Sequence, residues 1–201
     1  QNPPVLLLDR ALKGLKTDCV LFDNKNGAYM LTKHLVELNH KRIALLNLPK
    51  RLTPGQERAL GYRKALLEAN LPIDEGLILE SGFKAQEAPE LLHDLFFNNT
   101  EPPTALLVGS NRLLSKLQKF VKVNRINIPN QLAICAFDDV DYFADITPSI
   151  TAIATDLHQF GAEATRLLLE RINSSEDKKP QNVRIPCQLI VRESTAGLEY
   201  P

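Results

Sequence analysis

Two adjacent carboxylates, Asp138 and Asp139, are the residues of this chain best placed to hold a small molecule. They directly follow a short apolar run that ends at Phe137 and begins behind a proline-containing loop at 128–131. An apolar run of five or six residues between turn signals is typical of a strand buried on both faces of a parallel sheet. In open α/β sheets, ligands bind beyond the carboxyl ends of such strands. The pattern fits a binding site, and it fits equally well aspartates that only cap the next turn.

A second set of polar residues is expected at the same edge of the sheet. Arg58 lies near the start of the helix that should follow the strand at 43–48, and Ser110 closes a later strand. An arginine and a carboxylate that face one cleft suit a neutral, hydroxyl-rich ligand, because one donates hydrogen bonds and the other accepts them. The alternative for Arg58 is a surface ion pair with Glu57 or Glu68, which would contribute little to stability.

Motifs for catalysis are missing from the sequence. It contains no G-x-S-x-G elbow, no P-loop and no H-E-x-x-H motif, and its four histidines are scattered. The three cysteines, Cys19, Cys135 and Cys187, lie far apart and show no C-x-x-C spacing. We therefore expect no enzyme activity, no cofactor, no disulfide framework and no metal site. Isolated cysteines also fit the reducing cytoplasm.

Charge and hydropathy limit the possible partners. Lys plus Arg and Asp plus Glu both number 24, so the formal net charge is zero. Modules that bind nucleic acid usually carry a clear basic excess, so these residues are not expected to touch DNA themselves. Membrane contact is not expected either, because no apolar run approaches the ~18–20 residues that a bilayer crossing needs.

Apolar runs and amphipathic segments alternate along nearly the whole chain. This alternation predicts an α/β fold, with a parallel sheet and helices on both of its faces. The predicted strands are at 4–8, 19–22, 43–48, 77–79, 104–108, 132–137 and 183–191, and the predicted helices are at 27–38, 56–70, 85–97, 113–123 and 156–173.

Several segments together resemble the LacI/GalR family of bacterial transcription regulators, and they occur in the family's order. Single matches of this kind are weak, but a series of this length in the right order is a strong signal. The matching segments include Leu-Leu-Asp-Arg at 7–10, His-Leu-Val-Glu-Leu at 34–38, Glu-Arg at 57–58, Phe-Asp-Asp at 137–139, Pro-Ser-Ile-Thr at 148–151 and Ser-Thr at 194–195.

The resemblance implies a periplasmic-binding-protein-like clamshell of two α/β subdomains. A small-molecule effector, a sugar or a related polar metabolite, would bind in the cleft between them and change the closure of the clamshell. Such regulators are homodimers, and operator DNA is bound by an N-terminal helix-turn-helix headpiece rather than by these residues.

The resemblance also assigns candidate ligand-binding residues. Arg58 matches the family arginine that holds the effector, and Asp138 matches the aspartate that accepts its hydroxyl or amine hydrogens. Ser110 stands where an asparagine is typical, which leaves a smaller polar contact. Asp9 and Thr155 match positions at the cleft edge or hinge.

The family architecture further implies a division of the chain. Residues 1–17 would be a strand and crossover from the N-terminal subdomain, and residues 18–154 the C-terminal effector-binding subdomain. Residues 155–201 would return to the N-terminal subdomain and form the C-terminal tail, so that most of that subdomain is missing. A solute-binding protein of a transporter would share this fold, and a small α/β enzyme would need a motif that the chain lacks.

Overall fold

Nine strands form two sheets in the computed structural model of the chain, which describes residues 3–12, 14–82, 84–174 and 179–196. The strands are β1 Leu6–Leu8, β2 Asp18–Phe22, β3 Ile43–Asn47, β4 Ile78–Glu80, β5 Ala105–Val108, β6 Ala133–Phe137, β7 Thr151–Thr155, β8 Asn182–Ile185 and β9 Cys187–Ile190. The helices are α1 Asn24–Glu37, α2 Thr53–Glu68, α3 Ala88–Phe97, α4 Asn111–Asn124, α5 Tyr142–Asp145 and α6 Leu157–Asn173.

The larger sheet has the strand order β4-β3-β5-β6-β7-β9. All of its neighbouring strands are parallel except β9, which runs antiparallel to β7. The sequence pattern did not predict β7, because its alternation of threonine and alanine lacks a continuous apolar run. The parallel arrangement places the carboxyl ends of β3, β5 and β6 at one edge of the sheet.

Helices cover both faces of the larger sheet. Successive residues of a strand point to opposite faces, and β3 shows the consequence. Ala44 and Leu46 join a core with α3 and α4, whereas Ile43 and Leu45 join a second core with α1 and α2. The predicted α/β fold with helices on both faces is therefore confirmed.

The smaller sheet contains β1, β2 and β8 in the order β1-β2-β8, all parallel. α6 covers one of its faces, where Val20, Leu167 and Ile185 are buried together. The rings of Phe22 and Phe160 stack there with their centroids 4.3 Å apart. Two sheets with separate cores match the two subdomains of a clamshell. The larger sheet with α1–α5 is called the larger unit, and the smaller sheet with α6 is called the smaller unit.

The prediction of one strand at 183–191 is wrong. The segment forms two strands, β8 and β9, that belong to different sheets. Pro186 lies between them. Because proline has no backbone N–H to donate to a ladder, it fits the point where the chain leaves one sheet for the other.

The boundary predicted at residue 18 does not coincide with the division between the sheets. It separates β1 from β2, although these strands are neighbours in the smaller sheet. The chain changes sheet between β2 and β3. The predicted third segment, 155–201, is also divided, because α6 and β8 pack in the smaller unit while β9 extends the larger sheet. Residues 175–178 and 197–201 of that segment lie outside the described residues.

Helices begin where the sequence offers a cap or a proline. The Asp156 side chain accepts a hydrogen bond of 2.8 Å from the Gln159 N–H at the start of α6, and Pro54 lies in the first turn of α2.

Throughout the described ranges, no helix combines the length and the apolar character that crossing a membrane requires.

Candidate ligand-binding site around Arg58

Arg58 is buried where three elements of the larger unit meet. Only 4% of the residue is exposed. Its Nε donates to Asn24 Oδ1 at 2.9 Å, its Nη1 donates to the Gly109 carbonyl, and its guanidinium carbon lies 4.0 Å from the centre of the Phe137 ring. These contacts fix the guanidinium against the start of α1 and the ends of β5 and β6.

Close packing of α1 on α2 allows the contact between Arg58 and Asn24. At Gly61, one turn after Arg58, a Cβ atom would lie only 2.0 Å from the Lys25 carbonyl oxygen. Any side chain at this position would separate the two helices. The glycine therefore sets the distance between α2 and the start of α1.

Asp138 faces the guanidinium without being hydrogen-bonded to it. Its Oδ1 lies 3.8 Å from Arg58 Nη2, and 40% of its side chain is exposed. The residue directly follows β6 and has a φ of 67°, in the left-handed region that few residues other than glycine, asparagine and aspartate adopt. Asp138 thus keeps acceptor capacity directed to solvent beside a buried cation.

Asp9 occupies the equivalent position in the smaller sheet. It directly follows β1, has a φ of 58°, and its backbone N–H donates to the Val20 carbonyl at 2.9 Å. Its Oδ1 is buried and has no hydrogen-bond partner. Burial raises the pKa of Asp9, Arg58 opposes this shift, and Asp138 adds to it. Two aspartates at strand ends in two different sheets therefore act on the same arginine.

The charge of Arg58 is set by the same groups. Burial lowers its pKa, while the carboxylates of Asp138, Asp9 and Glu57 raise it. A guanidinium stays protonated in proteins under these opposing effects. The expected alternative, a surface pair of Arg58 with Glu57 or Glu68, is wrong because the Arg58 side chain points inward.

Glu57 instead connects the two sheets. Its carboxylate accepts two hydrogen bonds, of 3.0 and 2.6 Å, from Arg184 of β8. Nearby, the Thr53 hydroxyl donates to the Ala11 carbonyl at 3.0 Å and accepts from the Ala11 N–H at 3.1 Å. The helix that carries Arg58 is thus bound at two points to the part of the chain that forms the smaller unit.

The other two predicted site residues are less directly involved. Ser110 is buried and caps α4, since its Oγ accepts a 3.3 Å hydrogen bond from the Leu113 N–H. It follows Gly109, so it adjoins the arginine through the backbone. Thr155 ends β7 and pairs with Cys187.

The structure separates the two adjacent aspartates by role. Asp139 accepts two hydrogen bonds of 2.8 Å from Arg192, which also donates to the Ile150 carbonyl at 2.6 Å. This complete pairing joins the segment after β9 to the end of β6. Arg192 thus satisfies Asp139, whereas the Asp138 side chain stays 40% exposed and keeps acceptor capacity.

Sequence reasoning missed two asparagines near the site. Asn24 is not among the predicted site residues, although its side chain accepts a hydrogen bond from Arg58. Asn47, the last residue of β3, donates to the Gly55 carbonyl at 2.8 Å, and its Oδ1 is buried without a partner. The available signal was a polar residue at the end of an otherwise apolar strand.

Two sheets that each place an aspartate at the end of a strand near one arginine of α2 have the arrangement of a periplasmic-binding-protein-like clamshell. The family described as "periplasmic binding protein-like domain" matches residues 32–195, and the chain belongs to this family. The relatives below place it with the effector-binding regions of LacI/GalR regulators, so the predicted resemblance is confirmed.

Among curated relatives, the "Probable HTH-type transcriptional regulator EndR" of Paenibacillus polymyxa is 31% identical over 86% of this chain and 51% of its own length. The "HTH-type transcriptional regulator DegA" of Bacillus subtilis is 30% identical over 97% of the chain and 57% of its length. The chain thus spans about half the length of the curated relatives that it matches.

Solved structures show the same relationship. A complex described as "transcriptional regulator CelR-cellobiose complex" superposes with a TM-score of 0.85 at 27% identity, over 94% of this chain and 58% of that one. A LacI family regulator from Enterococcus faecium "with bound ribose" gives a TM-score of 0.83 at 25% identity, over 98% of this chain and 72% of that one.

Proposed function

We propose that this chain is the effector-binding part of a LacI/GalR-type transcriptional regulator, and that a small polar ligand binds beside Arg58. The observation that carries the proposal is the meeting of Asp9 and Asp138, from two sheets, at one buried guanidinium. A ligand held by both aspartates would bridge the two units. Its binding energy would then depend directly on how closely the units approach.

The chemistry of the site supports a hydroxyl-rich ligand. Asp138 and Asp9 accept hydrogen bonds, and the Nη2 group of Arg58 donates them, which is the combination that sugar hydroxyls require. Ser110 and Thr155 are proposed as secondary contacts at the cleft edge. Cellobiose and ribose are named for two of the structural neighbours, and a sugar or related metabolite is the class proposed for this chain.

Ligand-dependent closure is the proposed route to regulation. A ligand shifts an equilibrium between open and closed forms only as far as its affinities for the two forms differ. Contacts that already cross between the units, Glu57 with Arg184 and Thr53 with Ala11, would set the ligand-free balance. In a homodimer of the full regulator, closure would change the spacing of its two DNA-binding headpieces.

The names of the relatives favour a regulator over a transporter's solute-binding protein, because EndR and DegA are both named as HTH-type transcriptional regulators. Operator DNA is the partner proposed for the full regulator, and the cytoplasm is its proposed location. A balanced charge of 24 acidic and 24 basic residues agrees with DNA contact made elsewhere. No catalytic step is proposed for the Arg58 site.

Calorimetric titration with mono- and disaccharides, including ribose and cellobiose, tests this function. Arg58→Lys should weaken binding of any sugar that binds by at least about tenfold, because a point charge cannot reproduce the planar fork. Arg63→Lys is a matched control, since Arg63 lies on the same helix and pairs with Glu75 on its exposed side. Equal affinity of wild type and Arg58→Lys, or no binding of any sugar, would contradict the proposal.

A further inference from the structure

The charges around Arg58 are predominantly acidic. Burial lowers its pKa, and the carboxylates that raise it are Asp138, Asp9 and Glu57. The negative charge of Glu57 is balanced by Arg184, which donates two hydrogen bonds to it. One guanidinium therefore faces two further carboxylates. Apart from the exposed Arg10 beside Asp9, an additional anion at this point would meet more negative than positive charge.

The donors of Arg58 are also partly committed. Arginine usually holds phosphate or carboxylate groups through two parallel N–H bonds from its fork. Here Nε donates to Asn24 and Nη1 donates to Gly109, while Nη2 faces Asp138 at 3.8 Å. Two of the five N–H donors thus have protein acceptors, and the carboxylate of Asp138 lies on the side from which an anion would approach Nη2.

Two oxygens near this arrangement lack a donor. In the described ranges, the buried side-chain polar atoms without a hydrogen bond are Asp9 Oδ1 and Asn47 Oδ1, and both are acceptors. Asn47 packs against Gly109, the residue whose carbonyl binds Arg58: a Cβ atom at Gly109 would lie 2.7 Å from Asn47 Oδ1. Buried acceptors are stabilised by O–H or N–H donors. Hydroxyl and amine groups supply such donors, and an ionised phosphate does not.

We propose that the site selects a ligand that carries hydroxyl or amine donors and no anionic group, and that Asp9 sets this selectivity. Unphosphorylated sugars and amino sugars meet the requirement, and sugar phosphates do not. The inference rests on the proposed function, because it concerns the same site. Placing an anionic ligand beside carboxylates brings like charges together, and this repulsion strongly disfavours its binding.

Arg10 is the cation that must be tested alongside Asp9. It is exposed, and its charge opposes the raised pKa of its neighbour Asp9. An anionic ligand held at the edge of the site would depend on Arg10. Arg10→Gln therefore serves as the matched control for Asp9→Asn.

Calorimetric titration with matched pairs provides the test. The pairs are ribose with ribose 5-phosphate, glucose with glucose 6-phosphate, and glucose with glucosamine, and cellobiose is added as a neutral disaccharide. Any neutral or amino sugar that binds should bind at least about tenfold more tightly than its phosphate. Asp9→Asn should reduce that ratio by about tenfold, and Arg10→Gln should leave it unchanged.

Each alternative result has a separate meaning. Tighter binding of a sugar phosphate than of its neutral partner would overturn the charge inference and leave the ligand site in place. Loss of phosphate binding in Arg10→Gln would have the same consequence. Absence of binding by every compound, charged or neutral, would overturn the proposed function and this inference together. An unchanged ratio in Asp9→Asn would show that Asp9 does not set the selectivity.

Discussion

Two arginine–aspartate pairs lie at the end of β6, and their contacts differ. Arg192 binds Asp139 through two hydrogen bonds of 2.8 Å, and both side chains are mostly buried. Arg58 lies 3.8 Å from Asp138, whose side chain is 40% exposed. The first pair satisfies its own hydrogen-bonding groups, whereas the second leaves an acceptor available. We therefore propose that these neighbouring aspartates serve the fold and the ligand separately.

The left-handed backbone strengthens the contrast. Asp138 and Asp9 both have positive φ values immediately after a strand, and Asp139 does not. Left-handed conformations of residues other than glycine are uncommon and cluster at functional sites. The two aspartates proposed to hold a ligand share this conformation, and the aspartate with a structural partner lacks it.

The largest expected effect comes from breaking the structural pair. Arg192→Ala removes both hydrogen bonds to Asp139 and the bond to the Ile150 carbonyl. Loss of one partner of a mostly buried pair should lower the free energy of unfolding by about 3 kcal/mol. Urea denaturation measures this change. A loss below about 0.5 kcal/mol, the range of ordinary surface substitutions, would contradict the structural role.

A smaller effect of opposite sign is expected at Asp9. Burial raises its folded-state pKa above the ordinary 3.8, so the ionised carboxyl destabilises the ligand-free fold at pH 7. Asp9→Asn should therefore increase the free energy of unfolding by about 1 kcal/mol at pH 7. The gain should vanish below pH 3.8, where the wild-type carboxyl is protonated in both states.

Urea denaturation at pH 7 and in acid separates the possible causes. A gain of the same size at both pH values would indicate a backbone effect of asparagine, and destabilisation at pH 7 would contradict the account. Asp141→Asn is a suitable control, because Asp141 is exposed and makes no side-chain cap bond at α5.

The smallest effect concerns the bond between the two sheets. Arg184 pairs with Glu57, the neighbour of Arg58, but 45% of the Arg184 side chain is exposed. Arg184→Gln should lower the free energy of unfolding by only about 0.5 kcal/mol. The difference should disappear in 1 M salt, because the screening length is then only about 3 Å. A salt-independent loss would show that the pair acts through packing.

Much of the architecture could be predicted from the sequence. The apolar runs of β3, β5 and β6 are continuous because both faces of the sheet are covered, and this signal is local. Asp138 was found for the same reason, since it directly follows such a run. Assigning Arg58 and Asp9 to the candidate ligand site required the family resemblance in addition.

Other features depend on long-range arrangement. The Asp139 partner, Arg192, is 53 residues away and reaches it only because β9 returns to the larger sheet. The local pattern showed one continuous strand there. Similarly, the approach of Asp9 to Asp138 requires the relative placement of two sheets, which the spacing of apolar residues does not specify.

A parallel comparison of Asp138→Asn and Asp139→Asn tests the central claim most directly. Each variant should be studied by urea denaturation and by calorimetric titration with the tightest-binding sugar. We expect Asp139→Asn to lose about 2 kcal/mol of stability and to keep its affinity. Asp138→Asn should keep its stability within about 0.5 kcal/mol and lose at least about tenfold in affinity. Equal losses in both variants, or the reverse assignment, would contradict the division of roles between the two aspartates.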